Sequence, residues 1–323
     1  MKEVTTAFIT GVGGQDGGYL AELLLARGVE VHALVLEGES TPDVPGAVRT
    51  HVGDVADVAG TRALLLDLAP DRVFNLAAIS SVAQSWSEPD RTALVNGTAA
   101  VGLLESAYRV AERTGRQVRF VQASSAEVFG QPPSSPQDES TPVRPINPYG
   151  AAKAYAHLMV AVYRGRGLHA SSLVLYNHES PRRPAGFVTR KITRTVAAIA
   201  TGADDAPARL VLGNLDARRD WGWAPDYVAA LAAAADAPHG DDYVVATGVA
   251  HSVRDFVAAA FARAGVSDWE GLVEVDPALV RPADATELVG DASKARTTLD
   301  WTPTVDFAGV VGRMVDADLA LLR

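Results

Sequence analysis

Tyr149 and Lys153 are four residues apart, the spacing that puts two side chains on one face of a helix, one turn from each other. An ammonium beside a phenol favours the phenolate. A drop in tyrosine pKa of about three, from ~10 toward neutrality, corresponds to about 4 kcal/mol, and the phenolate then serves as a base toward an alcohol. The chain has only four lysines against 25 arginines, so a lysine here points to a role that arginine fills poorly rather than to a solvated surface pair. Upstream, Ala123-Ser-Ser-Ala-Glu127-Val-Phe-Gly130 continues the apolar run 118–122. If that run is a sheet strand, Ser124, Ser125 and Glu127 sit at its carboxyl end, where open α/β sheets bind ligands. Taken alone, either serine serves equally well as a turn cap and Glu127 as a solvated charge. Together with Tyr149 and Lys153 they form a set suited to moving protons around an alcohol carbon.

Gly11, Gly14 and Gly17 form GxxGxxG between an apolar run, 7–10, and an amphipathic stretch, 19–27. That order, strand then glycine turn then helix, aims backbone N–H groups and the positive helix end at a pyrophosphate. There is no GxxxxGK[ST], which excludes a P-loop. Glu37 lies 20 residues beyond Gly17, about where an acidic group accepts from the adenosine ribose hydroxyls, and this favours NAD over NADP. Asp54, at the end of His51-Val-Gly-Asp, is either an acceptor for an adenine amino group or a helix-start cap.

Arg182, Arg183, Arg190, Lys191 and Arg194 crowd into 13 residues, and Arg218, Arg219 and Arg281 follow. Such a run is either one solvated face or, because Pro184, Gly186 and Phe187 interrupt it, a folded pocket for a second phosphorylated ligand. The seven histidines show no HExxH or paired metal spacing, so no metal is expected. No GxSxG elbow occurs, which argues against an α/β-hydrolase.

The elements that must position these groups read as alternating strands and helices. Gly28 stops the first helix and 29–36 is a second strand. Asp57 caps a helix ending before Pro70; 72–76 is a strand, 90–113 a long helix, 118–122 a strand, 149–163 a helix and 170–176 a strand. Alternation of this kind predicts an α/β fold, a Rossmann-like doubly wound parallel sheet. After Tyr176 the alternation loosens into a smaller mixed α/β lobe. The expected division is 1–176 for the dinucleotide and 177–323 mainly for the substrate, with return segments near 215–248. Length 323, 48% hydrophobic and 21% charged residues describe a compact soluble protein and exclude a peptide hormone or a disordered chain. Net charge −10 disfavours a generic hold on nucleic acid or an anionic membrane. The absence of cysteine excludes disulfides and thiolate chemistry. The start, MKEVTTAFITG, shows no secretory signal and no apolar run is long enough to span a bilayer, so the expected location is the cytoplasm.

These residues together resemble the extended short-chain dehydrogenase/reductases and, within them, the GDP-mannose 4,6-dehydratase family. The matching segments are 10–22 (TGVGGQDGGYLAE), 75–78 (NLAA), 122–130, 149–153 (YGAAK), 177–183 (NHESPRR), 187–194 (FVTRKITR) and 219–222 (RDWG). Shorter matches at 226–228, 246–248, 251–254, 281–282 and 290–291 extend it over essentially the whole chain. The resemblance implies that Tyr149 takes the proton from the sugar O4 as hydride leaves C4, that Glu127 then removes the C5 proton, and that water leaves C6 before the hydride returns there. Ser125, where the family has threonine, would hydrogen-bond O4, and Lys153 would complete the catalytic set. Gly11, Gly14, Gln15, Asp16, Gly17, Glu37, Asp54, Val55, Leu76, Ala77, Ala78, Tyr149 and Lys153 would bind the cofactor. Ser85, Asn177, Arg183, Val188, Lys191, Arg219 and Arg281 would bind the nucleotide sugar, with GDP as the expected nucleotide.

Three departures bear on these expectations. Leu36-Glu37 replaces the family's Arg-Arg pair, so NAD is favoured, with NADP as the alternative. The following loop is shorter, which puts a tetramer in doubt and leaves a homodimer built on 90–113 and 149–163, with Leu94, Val101, Leu104, Leu158 and Val162 as its apolar face. Asp284 stands where the family tends to have glutamate. Epimerases, 4-keto reductases and decarboxylases of the superfamily share Tyr149 and Lys153, and a catalytically silent NAD(P)-binding regulator is the alternative of a different class.

Overall fold

The computed structural model describes residues 5–203, 206–280, 283 and 285–322. In chain order the elements are β1 (Thr6–Thr10), α1 (Gln15–Ala26), β2 (Glu30–Val35), β3 (Arg49–Val52), α2 (Val58–Leu68), β4 (Arg72–Asn75), α3 (Val82–Ser87), α4 (Pro89–Ala93), α5 (Ala99–Thr114), β5 (Arg119–Ser125), α6 (Pro148–Gly165) and β6 (His169–Leu175). There follow β7 (Asn177–Glu179), α7 (Val188–Thr201), β8 (Leu210–Leu212), β9 (Arg218–Trp223), α8 (Ala224–Asp236), β10 (Asp242–Val245), β11 (Ala250–Ser252), α9 (Val253–Arg263), β12 (Val273–Val275), β13 (Glu287–Leu288), α10 (Ser293–Leu299) and α11 (Phe307–Leu321).

Seven strands form one sheet in the order β10-β6-β5-β4-β1-β2-β3, and each pairing is parallel. Consecutive apolar residues on its central strands, Phe8 and Ile9, Val73 and Phe74, Phe120 and Val121, are all buried, as a sheet covered by helices on both faces requires. This is the expected doubly wound fold. The strand order reverses between β1 and β4, which opens a crevice at their carboxyl ends. A ladder of buried polar side chains sets those ends level. Thr10 Oγ1 donates to Asn75 Oδ1 (2.7 Å) and Asn75 Nδ2 to Gln122 Oε1 (2.8 Å), which ties β1, β4 and β5 together just below the crevice.

The expected long helix 90–113 is broken by a π-turn at Leu94–Thr98 between α4 and α5. The extra residue turns Asn96 inward, where its Oδ1 accepts from Ile79 N (2.8 Å) and its Nδ2 donates to Ile79 O (3.0 Å), clamping the loop after β4. Beyond β6, β9 pairs with β7, β11 and β13. A separate apolar core forms here from Ile192, Val196, Trp221, Phe256, Phe261, Val310 and Met314. The chain returns to the first sheet through α8 and β10. Among the described residues no helix is long and apolar enough to cross a membrane.

Candidate active site

The glycine turn is shaped by what it cannot accommodate. Gly11 has φ +74°, and a Cβ on it would lie 2.7 Å from Ala77 N; a Cβ on Gly17 would lie 2.2 Å from Gly11 O. The turn therefore closes tightly on the loop after β4 and lets α1 begin with Gly14 as its cap, with no side chain covering the first N–H groups. A cradle without Cβ atoms at a bare helix N-terminus fits a dinucleotide pyrophosphate. Leu76 and Ala78 line the cavity below it.

On the adenosine side the two glutamates after β2 are placed differently. Glu37 is exposed and makes no described contact, whereas Glu39 folds back over the glycine turn. Its Oε2 accepts from Leu36 N (2.9 Å), and its Oε1 lies 2.5 Å from where a Cβ on Gly13 would be. The cause is a chain reversal at Gly38, φ +74°, which carries the carboxylate two residues further along than the spacing suggested. Asp54 accepts from Ala56 N (2.8 Å) and pairs with Arg91 (3.1 Å), with the partly buried Val55 beside it, while the cap of α2 is Asp57.

A cavity of about 590 Å³ opens at the carboxyl ends of β4, β5 and β6 and is lined by Ser124, Ser125, Glu127, Tyr149 and Lys153 together. The start of α6 explains their alignment. Asn147 caps the helix, its Oδ1 accepting from Gly150 N (2.7 Å), and Tyr149 N donates to Ser85 Oγ (3.2 Å), so two first-turn donors are satisfied. Ser85 is fully buried, donates onward to Val82 O (2.7 Å) and is not in the cavity wall. Its hydroxyl, expected at the substrate, supports the Tyr149 backbone in this structure.

The Ser125 hydroxyl lies beside the Tyr149 phenol. Burial pushes that phenol up to about 12, with the Ser125 hydroxyl and Arg183 opposing burial and the Glu127 charge adding to it. Lys153, 3% exposed, is pulled down by burial to about 8, against the opposing charge of Asp16. Its Nζ donates to Ala123 O (2.8 Å) and lies 5.9 Å from the Tyr149 ring centroid. The expected fall in the tyrosine pKa is therefore not what this arrangement gives; desolvation is the largest influence on each group. Ser124 Oγ is buried without a hydrogen-bond partner in the wall of the same cavity, a polar atom that a bound group or a water would satisfy.

One wall joins α1 to β7. His178 Nε2 meets Asp16 Oδ2 at 2.8 Å and its Nδ1 meets Tyr176 O at 2.7 Å. Both neighbours are acceptors, so the ring carries both protons. Burial opposes each charge, yet the mutual attraction prevails: His178 is raised above the ordinary histidine value and Asp16 held below the carboxylate range. The Gln15 side chain lies behind this pair, donating to His178 O (3.1 Å) and accepting from Ser180 Oγ (2.8 Å), while its backbone N–H belongs to the uncapped first turn of α1.

Asn177, Arg183, Val188 and Arg219 line the outer part of the cavity. Arg183 stacks on Phe187 (3.8 Å) and pairs with the buried Glu179 (3.3 Å), and Arg219 Nη1 donates to Ala285 O (2.9 Å). The other cations of the run do not join them. Arg182 pairs with Glu22 (2.6 Å), Arg190 with buried Asp318 (2.8 Å), and Arg218 with Glu287 (3.0 Å). Lys191 is half-buried on α7, outside the cavity wall, and Arg194 is exposed. Arg281 and Asp284 lie outside the described residues. Among the described residues no three His, Asp or Glu side chains are placed to hold a metal ion.

A family model described as GDP-mannose 4,6 dehydratase matches residues 8–314. GDP-mannose 4,6 dehydratase 1 of Arabidopsis thaliana is 43% identical over 337 aligned positions, covering 100% of this chain and 92% of the relative. The GDP-mannose 4,6-dehydratase of Vibrio cholerae is 39% identical, covering 98% and 94%. Among solved structures, UDP-glucose 4-epimerase of Thermus thermophilus in complex with NAD superimposes with TM-score 0.84 at 29% identity, covering 97% of this chain and 99% of that one. With a family match over nearly its full length and relatives of this identity over nearly theirs, the chain belongs to the GDP-mannose 4,6-dehydratase family.

Proposed function

We propose that this protein converts GDP-mannose to GDP-4-keto-6-deoxymannose, with NAD held in the glycine cradle. The observation that carries the reading is Glu127 in the same cavity as Ser125, Tyr149 and Lys153. Oxidising an alcohol needs only the last three; a separate carboxylate is what eliminating water across C5 and C6 requires. The glycine turn and the start of α1 would hold the dinucleotide, whose nicotinamide would supply the hydride acceptor for C4 and the hydride donor for C6. Ser125 holds O4 by a hydrogen bond and Tyr149 takes its proton. The ionised form of Tyr149 is the one that takes it, and the Arg183 charge favours that form. The C4 carbonyl acidifies C5, Glu127 removes that proton, and the C6 hydroxyl leaves as water with a proton from Glu127. Tyr149 would give the proton it took from O4 to C5 as hydride returns to C6, which restores Tyr149 and leaves the sugar oxidised at C4 and reduced at C6.

Asn177, Arg183, Val188 and Arg219 are the candidate contacts to the nucleotide sugar, and Arg281 joins them by resemblance. Residues 1–176 with the return through 215–248 form the dinucleotide lobe, and most of 177–323 the substrate lobe. Glu39 supports NAD over NADP, since its carboxylate lies over the glycine turn and would repel a 2′-phosphate brought near it. The assembly is a homodimer through α6, whose Tyr155, Leu158 and Val162 are exposed, together with Leu94; Leu104, expected on this face, is fully buried in the core. Incubation with NAD and either GDP-mannose or UDP-glucose, followed by mass spectrometry, tests the reading. Loss of one water from GDP-mannose is expected, and an epimer of unchanged mass as the sole product would overturn it.

A further inference from the structure

Glu127 reaches the cavity from a 3-10 turn, Ala126–Val128, whose backbone is tied to Ser125: the Glu127 N–H donates to Ser125 Oγ (3.3 Å). Its carboxylate is held by one other residue. Asn147 Nδ2 donates to Glu127 Oε2 at 2.8 Å, and among the described residues this is the only hydrogen bond that carboxylate makes. Asn147 is 5% exposed. Its amide orientation is settled by its second contact, because Oδ1 must face the Gly150 N–H that it caps (2.7 Å), which leaves the NH₂ toward Glu127. Gly150 belongs to the helix turn that presents Tyr149, and Lys153 follows one turn later.

We propose that Asn147 is a positioning residue for the elimination half of the reaction: its amide engages one carboxylate oxygen of Glu127 and leaves the other to take the C5 proton, in register with Tyr149. The inference rests on the dehydratase reading above. An amide suits the task because it donates without being able to take the proton itself. The other ionisable groups lining the same cavity are Tyr149 and Lys153 on α6, Asp16 on α1, His178 and Glu179 on β7, Arg183 after β7 and Arg219 on β9, and Asn147 differs from all of them in having no proton to lose or gain.

Two variants separate this role from capping. Glycine and aspartate are both good N-caps, so Asn147→Gly and Asn147→Asp keep α6 while removing the donor, and aspartate adds a like charge beside Glu127. Folding is checked by thermal unfolding and cofactor loading by NAD content. In single turnovers with GDP-mannose, formation of reduced nicotinamide should stay within about twofold of wild type. Water loss and C5 exchange with deuterated solvent should fall ~10-fold in Asn147→Gly, the weight of one hydrogen bond to a charged group, so that reduced nicotinamide accumulates. In Asn147→Asp the acidic limb of the elimination rate should move to higher pH, because two adjacent carboxylates resist joint ionisation. Elimination at the wild-type rate with an unmoved acidic limb would overturn the proposal, as would an equal loss of oxidation and elimination. Wild-type protein that leaves GDP-mannose undehydrated would instead overturn the functional reading, which is a separate result.

Discussion

Removing the Glu39 carboxylate should change which dinucleotide the protein prefers, and removing Glu37 should not. The glycine turn and Glu39 are within contact distance, Glu39 Oε1 lying 2.5 Å from a Cβ position on Gly13, so a ribose seated on that turn would meet this carboxylate first. Two unit charges ~5 Å apart repel by about 3 kcal/mol at an effective dielectric of ~20 and by about 1 kcal/mol in bulk water. Glu39 is exposed, so an intermediate value of about 2 kcal/mol applies, roughly thirtyfold in affinity. Arg49 does not cancel it, being paired with Glu30 at 2.6 Å. Glu39→Ala should weaken NAD by ~10-fold through loss of a charged acceptor and tighten NADP by roughly thirtyfold through loss of the repulsion, so that the NAD-to-NADP ratio narrows by roughly 300-fold; Glu37→Ala should change neither by more than about twofold. Calorimetric titration of cofactor-stripped protein with each dinucleotide provides the readout. Discrimination that survives Glu39→Ala but is lost in Glu37→Ala, or purified wild-type protein carrying NADP, would refute the argument.

Glu127→Gln should leave reduced nicotinamide formation intact while water loss and C5 exchange fall by ~100-fold or more, whereas Tyr149→Phe should abolish both; equal effects of the two in rapid-mixing experiments would contradict the assignment. Lys153→Met should stabilise the cofactor-free protein at pH 7. Burial lowers the Lys153 pKa from 10.5 to about 8, a cost of about 3 kcal/mol that is fully present below pH 8 and fades as pH rises toward 10.5, where the unfolded chain also loses the proton. After loss of the hydrogen bond to Ala123 O, a net gain of about 1–2 kcal/mol by urea denaturation is expected at pH 7, shrinking by pH 10. Leu158→Glu, on a side chain 53% exposed, should shift the molar mass by light scattering from dimer to monomer; Leu104→Ala should instead cost about 2–5 kcal/mol of folding stability as a core cavity.

The parts of the site that are legible in the sequence are those where chemistry and local geometry coincide. Gly11, Gly14 and Gly17 are spaced by the turn they make, and Tyr149 and Lys153 by the helix that carries them. Asp57 announces its cap because an acceptor was needed three residues before the Gly60 N–H, which it serves at 3.0 Å. What is not legible depends on distant partners. Arg182 and Arg190 look like ligand cations until Glu22 and Asp318 arrive from 160 and 128 residues away. Glu37 and Glu39 differ only by a reversal at Gly38. Asn147 gives a local signal, a cap residue directly before Pro148, but its bond to Glu127 needs the β5 turn and α6 to be packed together. The π-turn at Asn96 hides inside an apparently continuous helix, because one added residue barely alters the apolar period.

The most direct test of the account is the fate of a single hydrogen. GDP-mannose carrying deuterium at C4 should yield, in ordinary water, a product that has lost one water and holds the deuterium at C6, with a solvent proton at C5. That pattern requires hydride to leave and return on the same cofactor while a separate base works at C5. Deuterium released to solvent, retained at C4, or found in a product that has not lost water would contradict it.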